Sequence, residues 1–333
     1  MGGLPARPGD PGHQPPHPHR GDRRHHPVRA PHRLRGREGA PTAAGLALRL
    51  VAALVAALPV RASAWLGRRL GDLGWALLPR RRRLALANLR QAFPDLAVGA
   101  RRRIARQSFQ HLGTVFTEGC FVLRRPLAQV TAQIALEGEE HVRTVIERHG
   151  RALVLTAHLG NWELLTLAPA LTGYPLTVVA RPLDSPALDV WATRLRRTAG
   201  VEVVDKREAL RPVLEALRRG RLVGVLLDQN ASRREAVFVP FFGRLASTSR
   251  AVAVLALRTR TPVVPAFTRR LAPGRHRITI QPALPLPETA DPAAIETVTA
   301  RCTQVIEAAV RETPEQWLWA HDRWRTRPPG EAR

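Results

Sequence analysis

From residue 150 onward, apolar and polar positions follow two alternating rhythms. The runs "ALVLTA" (152–157), "LTVVA" (176–180), "VEVV" (201–204) and "LVGVLL" (222–227) are short, branched and bounded by turn residues, the pattern of buried strands. Between them, "NWELLTLAPAL", "SPALDVWATRLRRTA" and "REALRPVLEALRRG" place apolar residues three and four apart, which predicts helices. "TPVVPAFTRRL" and "RHRITIQPAL" read as two further strands, and "AAIETVTARCTQVIEAAVRE" as a long helix with one apolar stripe. Strands alternating with helices predict an α/β fold, a central mixed sheet flanked by helices.

The N-terminal part has a different texture. Residues 1–41 carry no apolar period and are rich in Pro, His, Arg and Gly, the composition of a disordered tail. Residues 42–66 are the most apolar stretch, and their core "LVAALVAALPV" lies between Arg49 and Arg61. That core is short for a bilayer, which needs about 20 apolar residues. With Trp65 beside it and "PRRRR" (79–83) and "RRR" (101–103) following, the segment reads as a marginal membrane anchor or interfacial helix facing anionic lipid. An enzyme domain over 67–325 and a short tail over 326–333 complete the division.

Composition changes the picture only in part. There are 52 Lys+Arg against 27 Asp+Glu, a net charge of +25, and Lys206 is the only lysine. Arginine in place of lysine fits a coding bias; the excess of positive charge fits anionic partners such as lipid phosphate or an acidic protein. Aromatic residues make up 5% and no zinc spacing or RNA-binding aromatic motif is present, which argues against nucleic acid as the partner. Cys120 and Cys302 stand in no metal-spaced or CxxC pattern and read as small core residues.

The candidate chemistry is in "TAHLGNWELL" (156–165). His158 falls at the carboxyl end of the first strand, the edge where open α/β sheets bind ligands. Asn161 is a candidate helix N-cap, which puts Glu163 in the first turn, able to fold back toward the imidazole. A carboxylate on one ring nitrogen fixes the tautomer and leaves the other to take a proton from an alcohol, while the N–H groups at the helix start can meet an oxyanion. With no Ser or Cys close by, direct transfer fits better than a covalent intermediate. On spacing alone, a satisfied structural histidine is the commoner case; the strand-end placement favours the catalytic one.

"HLGNWE" resembles the H-x4-D/E box of glycerolipid-type acyltransferases, and its glutamate form resembles the late acyltransferases of lipid A biosynthesis. "NLRQAFPDL" (88–96), "VVARPLD" (178–184), "LRRGRLVGVLLDQN" (217–230), "VFVPFFGRLASTS" (237–249) and "PEQWLWAHDRWR" (314–325) are similar to other blocks of that family, in order. The resemblance implies a glycerolipid-acyltransferase-like fold at the inner membrane, its catalytic domain facing the cytoplasm. It implies His158 as general base, Glu163 as the group that orients it, and Arg181 as the clamp on an acceptor phosphate. It implies that Asp228 positions either the acceptor or the base. Asn161 joins these as a substrate-binding candidate. The implied donor is an acyl-acyl carrier protein, the acceptor is a phosphorylated lipid A precursor, and no metal or cofactor is needed. A phosphatidylinositol-mannoside or other glycolipid acyltransferase is the alternative within the same superfamily. Two readings stay open. Phe241 and Phe242 are core or, preferably, an acyl-chain wall; Trp317, Trp319 and Trp324 are core or a membrane-interface belt.

Overall fold

The computed structural model describes residues 43–330; the expected tail over 1–41 lies outside them. The apolar stretch expected to form one anchor is broken at Pro59. It becomes α1 (Ala43–Ala57) and the first part of α2 (Val60–Leu77), which runs through the expected boundary at residue 66. Proline cannot donate to the helical ladder, so the chain turns there. No helix among the described residues is long and apolar enough to cross a membrane.

Helices α3 (Pro79–Ala92) and α4 (Val98–Arg124) follow. Gly67 and Gly71 of α2 lie one turn apart and rest on α4 around Gly113 and Thr114, backbone against backbone; a Cβ on Gly67 would come within 2.6 Å of the Thr114 Cα. Only glycine permits that approach.

The chain then lays down α5 (Leu127–Thr131), β1 (Ile134–Glu137), α6 (Glu139–His149) and β2 (Ala152–Thr156). A 3-10 turn over Trp162–Leu167 runs into α7 (Ala168–Thr172), then β3 (Leu176–Ala180), α8 (Pro186–Arg197) and β4 (Glu202–Asp205). Next come α9 (Leu210–Arg218), β5 (Leu222–Leu226), a hairpin of β6 (Ala236–Phe241) and β7 (Arg244–Ser249), and α10 (Ala251–Thr259). β8 (Val263–Ala272), β9 (Arg275–Ile280) and α11 (Pro292–Glu312) complete the chain's main elements.

Seven strands form one sheet in the order β1-β9-β8-β2-β5-β3-β4. Only the β8–β9 pair is antiparallel, so the sheet is mixed, as expected. Leu153, Leu155, Val223 and Val263 face one apolar layer, shared with α9, α10 and α11. Leu176, Leu222, Val264 and Ile278 face the other, shared with α6, α8 and the Trp162–Leu167 turn.

Two strand readings needed tertiary information. β1, "IALE", lacks the branched apolar run that marks the other strands. The β6–β7 hairpin turns on Phe242 and Gly243, both at positive φ (52° and 73°). Phenylalanine rarely sits there; its N–H is held by the Glu307 carboxylate at 2.5 Å and its ring by the Arg311 guanidinium, 4.5 Å from the centroid.

The hairpin settles both aromatic readings. Phe241 and Phe242 are buried with Trp317, Trp319 and Trp324 in one cluster of edge-on and tilted rings, with centroids such as Trp317–Trp319 4.6 Å apart. They are core, neither an acyl-chain wall nor an interface belt. Cys120 and Cys302 are free and buried, as expected of small core residues.

Candidate active site

β2 and β5 are parallel neighbours, and Thr156 pairs in register with Leu226. His158 and Asp228 therefore stand level, each two residues beyond the end of its strand. The His158 Nδ1–H donates to Asp228 Oδ1 at 2.8 Å, and the His158 backbone N–H donates to Oδ2 at 2.9 Å. Trp317 Nε1–H donates to the same Oδ2 at 2.8 Å. Burial by itself would raise the Asp228 carboxyl; the charge of His158 and these hydrogen bonds outweigh it and lower the pKa to about 2. Asp228 is thus an ionised, buried anchor for the imidazole. With Nδ1 carrying the proton, Nε2 presents its lone pair.

This corrects the expectation for Glu163. Its carboxylate accepts two hydrogen bonds from Arg196, Nη2 to Oε1 at 2.7 Å and Nε to Oε2 at 2.9 Å, and one from Trp162 Nε1 at 3.2 Å. The turn does not fold Glu163 onto His158; Asp228 occupies that place. Glu163 reaches the imidazole only through Trp162, whose ring stands edge-on to it with centroids 5.0 Å apart.

Asn161 is also corrected. It occupies the N-cap position but makes no side-chain cap. It is buried, and its amide donates to Glu118 Oε2 at 2.9 Å. That bond ties the loop to a buried cluster. Arg270 donates to Glu118 through Nε at 2.6 Å and Nη2 at 2.7 Å, and His111 Nε2 meets the Gly160 carbonyl at 2.9 Å. Burial opposes charge on Glu118, yet Arg270 and His276 hold its carboxyl well below the usual range; burial and the Arg270 charge push His111 down to about 3. Gly160 has φ 57°, and a Cβ there would collide with the Thr268 carbonyl. Gly160 and Asn161 thus form the back of the loop, and the turn meets the cavity from Trp162 onward.

The C-terminal block closes the same loop. The Gly160 N–H donates to the Gln316 carbonyl at 3.0 Å and the Leu318 N–H to the His158 carbonyl at 3.2 Å. The Asn230 N–H donates to His321 Nε2 at 3.0 Å. Burial is the main force pushing the His321 pKa down, to about 4.

His158 opens onto a cavity of about 790 Å³. Its depth is apolar: Val154, Val178 and Val264 form a row across the sheet, with Leu165, Leu171 and Val142 opposite. Gly224 completes the row between Val154 and Val178, leaving a gap where other strand residues place a side chain. Its lining also includes Arg181, Arg196, Lys206, Arg207, Arg234 and Arg250. Arg181 is exposed and paired with Asp184 at 3.2 Å. Of the candidates named from the sequence, His158, Glu163 and Arg181 line this cavity, Asp228 lies directly behind His158, and Asn161 lies apart from it. The sequence reading missed Arg196, Trp317 and the rim residues beyond Arg181.

An ionised carboxylate behind a histidine, the histidine facing an apolar cavity lined also by cations, is an arrangement suited to proton transfer beside a ligand with apolar and anionic parts. Residues 42–326 match the family model of bacterial lipid A biosynthesis acyltransferases. The chain belongs to that family and is an acyltransferase. It is 29% identical to the lipid A biosynthesis lauroyltransferase of Escherichia coli strain K12, over 83% of this chain and 90% of that protein. It is 26% identical to the palmitoleoyltransferase of the same strain, over 83% of this chain and 89% of that protein. The strain's lipid A biosynthesis myristoyltransferase is 27% identical over 80% of each chain.

Proposed function

We propose that the protein transfers a fatty acyl chain from an acyl-acyl carrier protein to a hydroxyl of a phosphorylated lipid A precursor, at the cytoplasmic face of the inner membrane. The observation that carries this reading is the Asp228–His158 pair at 2.8 Å, its Nε2 at the wall of an apolar cavity and met there by the Gln229 amide at 3.3 Å. Nε2 takes the hydroxyl proton as the oxygen attacks the thioester carbonyl. Asp228 holds the tautomer and stabilises the imidazolium. The C–S bond then breaks, and the thiolate recovers the proton from His158.

The remaining residues take supporting roles. The apolar row of Val154, Val178 and Val264 receives the acyl chain. Arg181, with the cations beside it, receives an acceptor phosphate, for which guanidinium forks are suited. Glu163 holds Arg196 and Trp162 in place beside the base. No residue in this scheme calls for a metal or cofactor.

Association with membrane lipids fits the N-terminal helices. Leu46, Leu50 and Leu54 lie one turn apart on α1 and are exposed, as are Trp65, Leu73 and Leu77 on α2. Arg80, Arg81 and Arg83 follow on α3, also exposed. Apolar faces next to arginines suit an anionic bilayer surface.

The test is a transfer assay on membranes carrying the protein, with a radiolabelled lipid A precursor and several acyl-acyl carrier proteins. Gain of one acyl chain in wild type and none in His158→Ala is the expected result. No gain with any donor removes this acceptor, and glycolipid acceptors are then the next substrates to test.

A further inference from the structure

The proposed reaction needs hydrogen-bond donors for the tetrahedral oxyanion; the Gly160 N–H is already given to the Gln316 carbonyl, and Asn161 is buried away from the cavity. We propose that two side chains supply them: the Gln229 carboxamide and the Thr156 hydroxyl. This inference rests on the reading of His158 as the base.

Gln229 follows the buried Asp228 directly, is itself exposed and lines the cavity. Its Nε2 lies 3.3 Å from His158 Nε2. Because Nδ1 carries the imidazole proton toward Asp228, Nε2 of the ring is an acceptor, and the amide must present its N–H. A substrate hydroxyl that comes to this nitrogen displaces the amide from it. The displaced N–H stays beside the attacking oxygen, and the oxyanion is separated from that oxygen only by the carbonyl carbon.

Thr156 supplies the independent observation. It is the last residue of β2, two residues before His158, lines the cavity and is 5% exposed. Its Oγ1 is buried without a hydrogen-bond partner among the described residues. An unpaired buried hydroxyl is costly and rare, and one at a cavity wall marks a place for a polar ligand atom. Its strand neighbours in the lining, Val154 and Leu226, are apolar, and the polar atom that an acyl thioester brings to such a wall is its carbonyl oxygen.

The chemistry balances without a further reactant. The hydroxyl proton goes to His158 Nε2, the new C–O bond forms, and the carbonyl π pair becomes the oxyanion between Gln229 and Thr156. Return of that pair expels the thiolate, which takes the proton from His158.

The experiment measures kcat, KM and the pH–rate profile for Gln229→Ala, Gln229→Glu and Thr156→Val, with His158→Ala as control. Thermal melts of the same samples report folding; Gln229 is exposed and Thr156→Val keeps the shape. The expected result is a fall in kcat of about 10² in Gln229→Ala and Thr156→Val, with KM and the low-pH limb of the profile, which reports deprotonation of His158, unchanged. Gln229→Glu, which places a negative charge at the oxyanion, falls further. Wild-type kcat in either Gln229→Ala or Thr156→Val overturns the two-donor site. An active His158→Ala overturns the underlying reaction instead, so the two failures are distinguishable.

Discussion

His158 and Asp228 stand level at the ends of two adjacent parallel strands, 70 residues apart in sequence and joined by a 2.8 Å hydrogen bond. The carboxylate that holds the imidazole comes from the neighbouring strand. The glutamate within the same motif instead forms a two-pronged ion pair with Arg196.

That pair gives the first prediction. Glu163 and Arg196 are both mostly buried, with side-chain exposures of 10% and 14%. Removing either partner leaves a buried charge without its counter-ion, which costs about 3–5 kcal/mol. Glu163→Ala and Arg196→Ala are each expected to destabilise on that scale, and the double variant by less than their sum. A double-mutant cycle by chemical denaturation checks this; additive effects would contradict the pairing.

His321 predicts a pH dependence. Its pKa is lowered from 6.5 to about 4, with burial as the largest cause, so the folded state favours the neutral ring. Below pH 6.5 the unfolded chain takes up a proton that the folded chain refuses. The contribution, on the order of 3 kcal/mol, is therefore fully present above pH 6.5 and lost as pH falls toward 4. His321→Gln keeps an acceptor for the Asn230 N–H and removes the titration. Denaturation midpoints between pH 4 and 6.5 are expected to slope more steeply in wild type than in the variant.

Gly224 is expected to set how far an acyl chain can enter. It is the gap in the Val154–Gly224–Val178 row, and a Cβ there reaches 3.4 Å from Val178 Cγ1. Gly224→Val fills the gap and shifts preference toward shorter donors. Losing burial of two methylenes at about 0.8 kcal/mol each is roughly a tenfold change in relative kcat/KM. A competition assay with donors of two chain lengths reads it directly; an unchanged ratio would place the chain elsewhere.

The exposed leucines of α1 predict lipid binding. Leu46, Leu50 and Leu54 are 52%, 63% and 62% exposed. Replacing all three by serine is expected to reduce sedimentation with anionic vesicles by at least about tenfold, since each leucine carries up to about 2 kcal/mol of burial. Unchanged sedimentation would remove this face from the membrane contact.

Much of this was legible along the chain. The strands at 152–157, 176–180 and 222–227 were visible because their apolar runs are short and bounded by turns, and His158 was visible because it ends the first of them. Its partner was not, because nothing local says that β5 lies beside β2; once that adjacency is known, counting two residues beyond each strand finds Asp228. Asn161 illustrates the opposite case. Its type and position suit a cap, but the side chain is held by the Nδ2–H it donates to the buried Glu118, and the Oδ1 that would cap the helix has no hydrogen-bond partner among the described residues. The Trp-rich C-terminal block reads the same whether it faces lipid or core, and only packing against Phe241 and Phe242 decides.

The central claim is that His158 is the base and Asp228 its anchor. The most direct measurement is the acyl-transfer rate of wild type, His158→Ala and Asp228→Asn on membranes, with the same acyl-acyl carrier protein and radiolabelled precursor. The account predicts no detectable transfer in His158→Ala and a fall of about 10³–10⁴ in Asp228→Asn, in proteins that remain folded. Transfer at the wild-type rate in either variant would contradict it.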